Sequence, residues 1–233
     1  MDATTAMLVE GAFLLLDGGF TAQQGEDVVN SVLLAGHVAA QAAAPDAMGH
    51  AAELRQALGN IGWTTTDLTR DSTQLDCGDK PDKTGRFWKA GKTGGTAGSP
   101  ECVPLTIIGQ TLARQLTSDL ADQVVAGVSA LQTAGPQVRQ AWALASRTGP
   151  PSCLLFVATL TGGVPMLAYN YNQLTPGTDA TTYPWSAVTE PGTLTQFSGS
   201  AAMNRMVFTT AFSGALAAKV APLRPTAVVP LHT

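Results

Sequence analysis

Charge is scarce in this chain: of its 233 residues only 13% are Asp, Glu, Lys or Arg, about half the ~25% usual for a soluble domain. A surface so poor in charge is covered by Ser, Thr, Gln, Asn, Gly and Ala, and it associates readily with partners, membranes or copies of itself. The bases are outnumbered 13 to 17, for a net charge of -4 and a pI near 5.2. Phosphate recognition calls for clustered Lys and Arg, so nucleic acid is not an expected partner. Histidine and cysteine are equally sparse, at three each. There is no Cys-x-x-Cys, and His37, His50 and His232 stand without ligand spacing, which leaves no metal site to expect. Long apolar runs are missing too. Gly11 to Leu16 and Cys153 to Ala158 fall far short of the roughly 18 to 20 residues of a membrane-spanning helix. The N-terminus opens Met1-Asp2 without a basic region, and Glu10 interrupts its apolar stretch, so the expectation is that a standard secretory signal is absent or has already been removed. The expectation is a soluble protein whose release, if any, follows a non-classical route.

What is present is apolar substance: 45% hydrophobic residues in 24.0 kDa, enough to bury a sizeable core as one domain over residues 1–233. Residues 3–16 read as a first helix with Asp2 as cap and Gly18-Gly19 as stop. Glu26 to Ala44 reads as a second, with Val28, Val29, Val32, Leu33 and Ala39 recurring at three and four. A third helix follows Asp46 through Leu58, and Ile61 to Thr69 reads as a strand. From Pro104 a long helix carries Leu105, Ile108, Leu112, Leu116, Leu120, Val124, Val128 and Leu131 in steps of about four, with Thr117-Ser118-Asp119 a place for a bend. Gln137 to Ser146 is a further helix. Pro184 to Phe197 reads as loop with one or two short strands, Arg205 to Phe212 as an alternating strand, Gly214 to Val220 as a short helix or a continuation of that strand, and residues 222–233 as an irregular tail.

Residues 70–101 form a charged, Gly-rich surface loop. Within it Gly85 to Thr93 suggests a phosphate loop, but five residues separate Gly85 from Gly91 where that motif has four. Cys77 and Cys102 bracket the loop. A bridge between them would close about 25 residues and contribute roughly 3 kcal/mol; two unpaired thiols are the alternative, since spacing does not fix the distance between them.

The stretch from Pro151 to Leu174 is the most distinctive. Positions 153, 155 and 157 and positions 154, 156 and 158 are all apolar, so the strand is covered on both faces, and Thr161-Gly162-Gly163 turns it into a second strand. Helices are the available cover. The expected fold class is therefore α/β (α+β): a three-layer helix/sheet/helix sandwich whose mostly antiparallel central sheet is wrapped by helical layers.

The order of these elements carries a resemblance. Asp122-Gln123 is followed by a helix ending at Ala141-Trp142, then come Leu154-Leu155-Phe156, Thr161-Gly162-Gly163-Val164 and a later aliphatic-aromatic strand around Met206-Val207-Phe208. This resembles the family of cytolytic (Cyt-type) δ-endotoxins and the palmitoylated Erwinia virulence factor over residues 119–172, with weaker echoes from Val28 to Pro45 and on to Pro222. The resemblance implies a lipid- or membrane-interacting, toxin-like virulence protein that either moves its helical layers aside so that strands insert, or holds a fatty acyl chain between helices and sheet. The insertion candidates are then Leu154, Leu155, Phe156, Val157, Gly162 and Gly163. Cys153 becomes the candidate for thioester-linked palmitate, the one cofactor-like group implied; the bland alternative is a buried cysteine acting as a small hydrophobe. The charged loop between Cys77 and Cys102 departs from the cytolysin pattern. The partners implied are a lipid or membrane surface and further copies of the chain.

Two other classes remain open. A noncatalytic, self-assembling structural protein explains the low charge equally well. A hydrolase needs a nucleophile with a nearby base, and neither Gly199-Ser200 nor Ser213-Gly214 lies in a Gly-x-Ser-x-Gly elbow; a carboxylate pair drawn from Asp17, Asp67, Asp71, Asp119, Asp122 and Glu190 is not selected by any spacing.

Overall fold

The structure is a computed structural model that describes residues 4–42, 47–75, 103–144, 151–175, 183–185, 188 and 191–231. Cys77, Cys102, the Gly85 to Thr93 stretch, His232 and Glu190 lie outside the described residues.

An eight-stranded sheet lies between two helical layers, as the double-sided burial of residues 153–158 anticipated. Its strands are β1 (Thr5–Val9), β2 (Ala12–Leu16), β3 (Trp63–Thr65), β4 (Thr69–Leu75), β5 (Ser152–Thr161), β6 (Val164–Thr175), β7 (Gly192–Met203) and β8 (Val228–Leu231). Their spatial order is β3-β7-β6-β5-β2-β1-β8, with β4 sharing the outer edge of β7 with β3. All pairs are antiparallel except β2 with β5.

One face packs on α1 (Ala22–Gln41), α2 (Ala47–Asn60), a short α6 (Arg205–Val207) that widens into a π-turn over Phe208–Phe212, and α7 (Ser213–Val220). The other packs on α3 (Pro104–Leu112), α4 (Ser118–Leu131) and α5 (Pro136–Leu144). Alternation along β5 divides its side chains between the layers: Leu154, Phe156 and Ala158 join the α1 side, and Cys153, Leu155 and Val157 the α3 side. Two close approaches set the spacing. A Cβ at Gly127 on α4 would lie 2.5 Å from the Phe13 ring of β2, and one at Gly199 on β7 would lie 2.5 Å from the Tyr169 ring of β6, so only glycine lets these surfaces meet.

Several sequence expectations need correction. Residues 3–16 are a hairpin, β1 and β2, turned at Glu10 and Gly11 (φ 49° and 77°), the left-handed pair a two-residue hairpin turn requires. A central strand buried on both faces has a continuous apolar run, which imitates a buried helix. The long helix from Pro104 is two, α3 and α4, separated over residues 113–117. Residues 70–75, expected within the charged loop, belong to β4 (Thr69–Leu75) instead, and residues 76–101 of that expectation lie outside the described residues. Gly192 to Phe197, expected as loop with one or two short strands, belongs to the twelve-residue β7. Arg205 to Phe212, including Met206-Val207-Phe208, is helical rather than extended: Asn204 Oδ1 accepts from the Val207 N–H at 3.2 Å, and Phe208, Phe212, Leu216 and Val220 recur every four residues on the buried stripe. The tail is ordered by α8 (Arg224–Ala227) and by β8 pairing with β1.

Candidate functional site

The β5-β6-β7 meander forms the centre of the sheet and carries Cys153 and all the insertion candidates. Leu154 and Phe156 lie under α1 and α2, Leu155 and Val157 under α3 and α4, all buried. Gly162 and Gly163 form the β5-β6 turn with φ of 57° and 80°, a conformation suited to glycine.

Cys153, the second residue of β5, points into the α3 side and is 3% exposed. Its thiol lies 3.8 Å from the Tyr183 hydroxyl, to which it donates. Burial pushes the thiol up to about 12, against the opposing pull of hydrogen bonds with Tyr183 and Asn172. At neutral pH it is therefore a protonated thiol, a poor nucleophile while the layers are closed. Burial also raises the Tyr183 hydroxyl well above its ordinary value, with Cys153 adding to the effect.

Cys153 is one end of a polar seam. In register it faces Asn172 on β6, which faces Gln196 on β7. Asn172 Nδ2 donates to the Cys153 and Asn170 carbonyls at 3.4 and 3.3 Å. Gln196 Nε2 donates to Asn172 Oδ1 at 2.8 Å, and Thr111 of α3 donates its hydroxyl to Gln196 Oε1 at 2.9 Å. One row along, Asn170 Nδ2 donates to Ser198 Oγ at 2.7 Å, while Asn170 Oδ1 is buried without a partner. Asn170, Asn172 and Gln196 are fully shielded from solvent. Buried amides of this kind are stable only while each polar atom is satisfied, and one of them is not.

The opposite face of the same strands is apolar and aromatic. Leu167, Tyr169 and Tyr171 on β6 and Phe197, Ala201 and Met203 on β7 meet α1 and α2. The Tyr169 hydroxyl is buried without a partner, and burial raises it to about 12, moderated by the positive charge of Arg55. The β6-β7 pair is thus amphipathic across its thickness, with both faces covered over Tyr169 to Asn172 and Gln196 to Ser198.

The remaining candidates disperse. His37 Nδ1 lies 3.4 Å from Glu10, and Gln41 Nε2 donates to its other nitrogen at 2.8 Å. His50 on α2 stacks on Tyr171 with centroids 5.0 Å apart. Asp67 pairs with Arg55 at 3.1 Å and Asp71 with Arg114 at 3.5 Å, while Asp17 caps the Gly18 N–H. No cluster of three His, Cys, Asp or Glu suited to a metal occurs among the described residues, and no described helix is long and apolar enough to cross a membrane.

The amide seam escaped the sequence reading. Its signal is the alternation Tyr169-Asn170-Tyr171-Asn172, a period-two pattern of aromatic and amide residues that places all aromatics on one face. No protein-family model, no curated protein and no solved structure matches this chain.

Proposed function

We propose that this protein is a lipid-interacting, toxin-like virulence factor that perturbs a target membrane by releasing a helical layer and inserting the β5-β6-β7 meander. The observation that carries the reading is the two-faced character of that meander. Its strands are 10, 12 and 12 residues long, against the roughly 9 to 11 residues with which a tilted strand crosses hydrocarbon. One face of β6 and β7 is apolar and the other amide-lined, the apolar-out, polar-in alternation of membrane strands. Water entering beneath α3 would solvate Asn170, Asn172 and Gln196, which lowers the cost of parting that layer relative to an all-apolar interface. Open sheet edges cannot face lipid, so several copies must close a ring; homo-oligomerisation on the membrane belongs to the same reading.

Dye release from liposomes, with protease present, tests it. Release together with protection of residues 152–174 is expected. Continued cleavage at Gly162-Gly163 during active lysis would overturn insertion of the hairpin, and a stable oligomer in solution with no release would favour the self-assembling structural alternative.

A second reading rests on Cys153, which faces the layer interface where a palmitoyl chain would be shielded. Modification requires the layer to open first, because the closed thiol is buried and protonated. An added intact mass removed by hydroxylamine supports it. The same added mass on Cys153→Ser would overturn it.

A further inference from the structure

The fold also marks where the protein would first touch lipid, an inference that rests on the reading above. Charge is divided unequally along the chain: residues 1–122 hold fifteen acids and eight Lys or Arg, whereas residues 123–233 hold two acids and five. From Gly192 to Leu231 there is no acid, only Arg205, Lys219 and Arg224. That asymmetry reaches the surface only away from α1, whose Asp27 accepts from Ser213 and whose Glu26 pairs with Arg224. Arg224 is committed to Glu26 and Asn30 of α1. Arg205 is exposed, and one of its N–H groups donates to the Gly163 carbonyl at 3.2 Å, which fixes it at the β5-β6 turn with its other donors unspent.

That turn projects. β2 ends at Leu16, opposite Ala158, while β5 runs three residues further to Thr161, roughly 10 Å at the usual rise per strand residue. Next to Arg205 stand Met206 and Val207, 81% and 41% exposed. They directly follow, in sequence, the arginine that donates to the tip. Residues 159–166 add Thr, Leu, Gly, Val, Pro and Met but no charge. We infer that Arg205, Met206 and Val207, together with the Gly162-Gly163 turn, form a docking patch for an anionic lipid surface. The guanidinium meets headgroup phosphate and the two aliphatic side chains enter the acyl boundary. The pairing of one cation with aliphatic rather than aromatic side chains favours lipid over nucleic acid, whose bases call for stacking platforms.

Vesicle co-sedimentation of the full chain tests the patch, with phosphatidylcholine alone and with phosphatidylglycerol added. Wild type should partition more strongly onto the anionic vesicles, and Met206→Ser/Val207→Ser should lower partition about ten-fold or more with an unchanged melting temperature. Arg205→Gln should remove most of the preference for anionic vesicles and its salt dependence. Met48→Ser on α2, also an exposed methionine (59%), should leave partition unchanged. Wild-type binding that the double substitution leaves intact would overturn the patch while sparing the lipid reading. Absence of wild-type binding to either vesicle would remove both, and retardation of duplex DNA by protein that leaves vesicles bare would assign the charge asymmetry to nucleic acid and overturn the patch.

Discussion

Thr111→Val removes one hydroxyl from the contact between α3 and the sheet and leaves a side chain of nearly the same shape. Thr111 is 7% exposed and donates at 2.9 Å to Gln196 Oε1, which is itself fully buried. The substitution leaves that carbonyl without its donor in a closed interface, at a cost of about 1 to 3 kcal/mol. In a domain of this size each kcal/mol corresponds to roughly 2 to 4 °C in Tm. Because the penalty vanishes once water reaches Gln196, the same free energy shifts the opening of the α3 layer by roughly 5- to 150-fold. Thermal unfolding followed by circular dichroism reads the first effect, and amide hydrogen exchange across α3 and α4 reads the second. Exchange should accelerate there while α1 and α2 remain near wild type, and dye release from liposomes should begin sooner. A Tm and an α3 exchange rate both equal to wild type would refute the seam as a constraint on layer opening.

Other consequences can be checked independently. Gly199→Ala should cost about 1 to 3 kcal/mol through overpacking, since its Cβ would lie 2.5 Å from the Tyr169 ring; a Tm equal to wild type would mean that the ring moves freely. In a Cys77→Ser/Cys102→Ser background, Cys153 should resist iodoacetamide at pH 8 in the native state and react on denaturation, because its thiol is buried and pushed up to about 12; rapid native labelling would contradict this closed state. Burial lowers His50 below its ordinary 6.5, so the folded protein binds fewer protons than the unfolded chain as pH falls through 6.5, and stability declines on the acid side. His50→Phe should flatten that decline in urea titrations between about pH 7 and pH 5, and an unchanged slope would show that His50 does not cause it.

The parts of the fold legible in the sequence are those where one physical signal dominates. α1 and α4 have clean helical stripes, and the β5-β6 hairpin combines a doubly apolar run with Gly162-Gly163. The first hairpin was hidden because Met7 to Leu16 is apolar at nearly every position, which erases the period separating strand from helix. β7 was hidden for the opposite reason. Ser198 to Ala202 is only Ser, Gly and Ala, weak strand formers whose extended form is imposed by ladders from β6 on one side and β3 and β4 on the other. Arg205 to Phe212 alternates by coincidence, while the cap at Asn204 and the four-residue spacing of Phe208 and Phe212 carry the helix. At the site, Cys153 and the hairpin could be read from one segment. The seam could not, since Thr111, Asn172 and Gln196 come from three distant segments and meet only in the register of the sheet.

Hydrogen exchange of the full chain bound to anionic liposomes, compared with the chain in solution, addresses the central claim directly. The account predicts that α3 and α4 lose protection on binding, whereas β5, β6 and β7 keep or gain it as their faces exchange helix for lipid and lumen. Dye release by a protein whose α3, α4 and sheet amides all retain their solution protection would contradict layer opening and strand insertion.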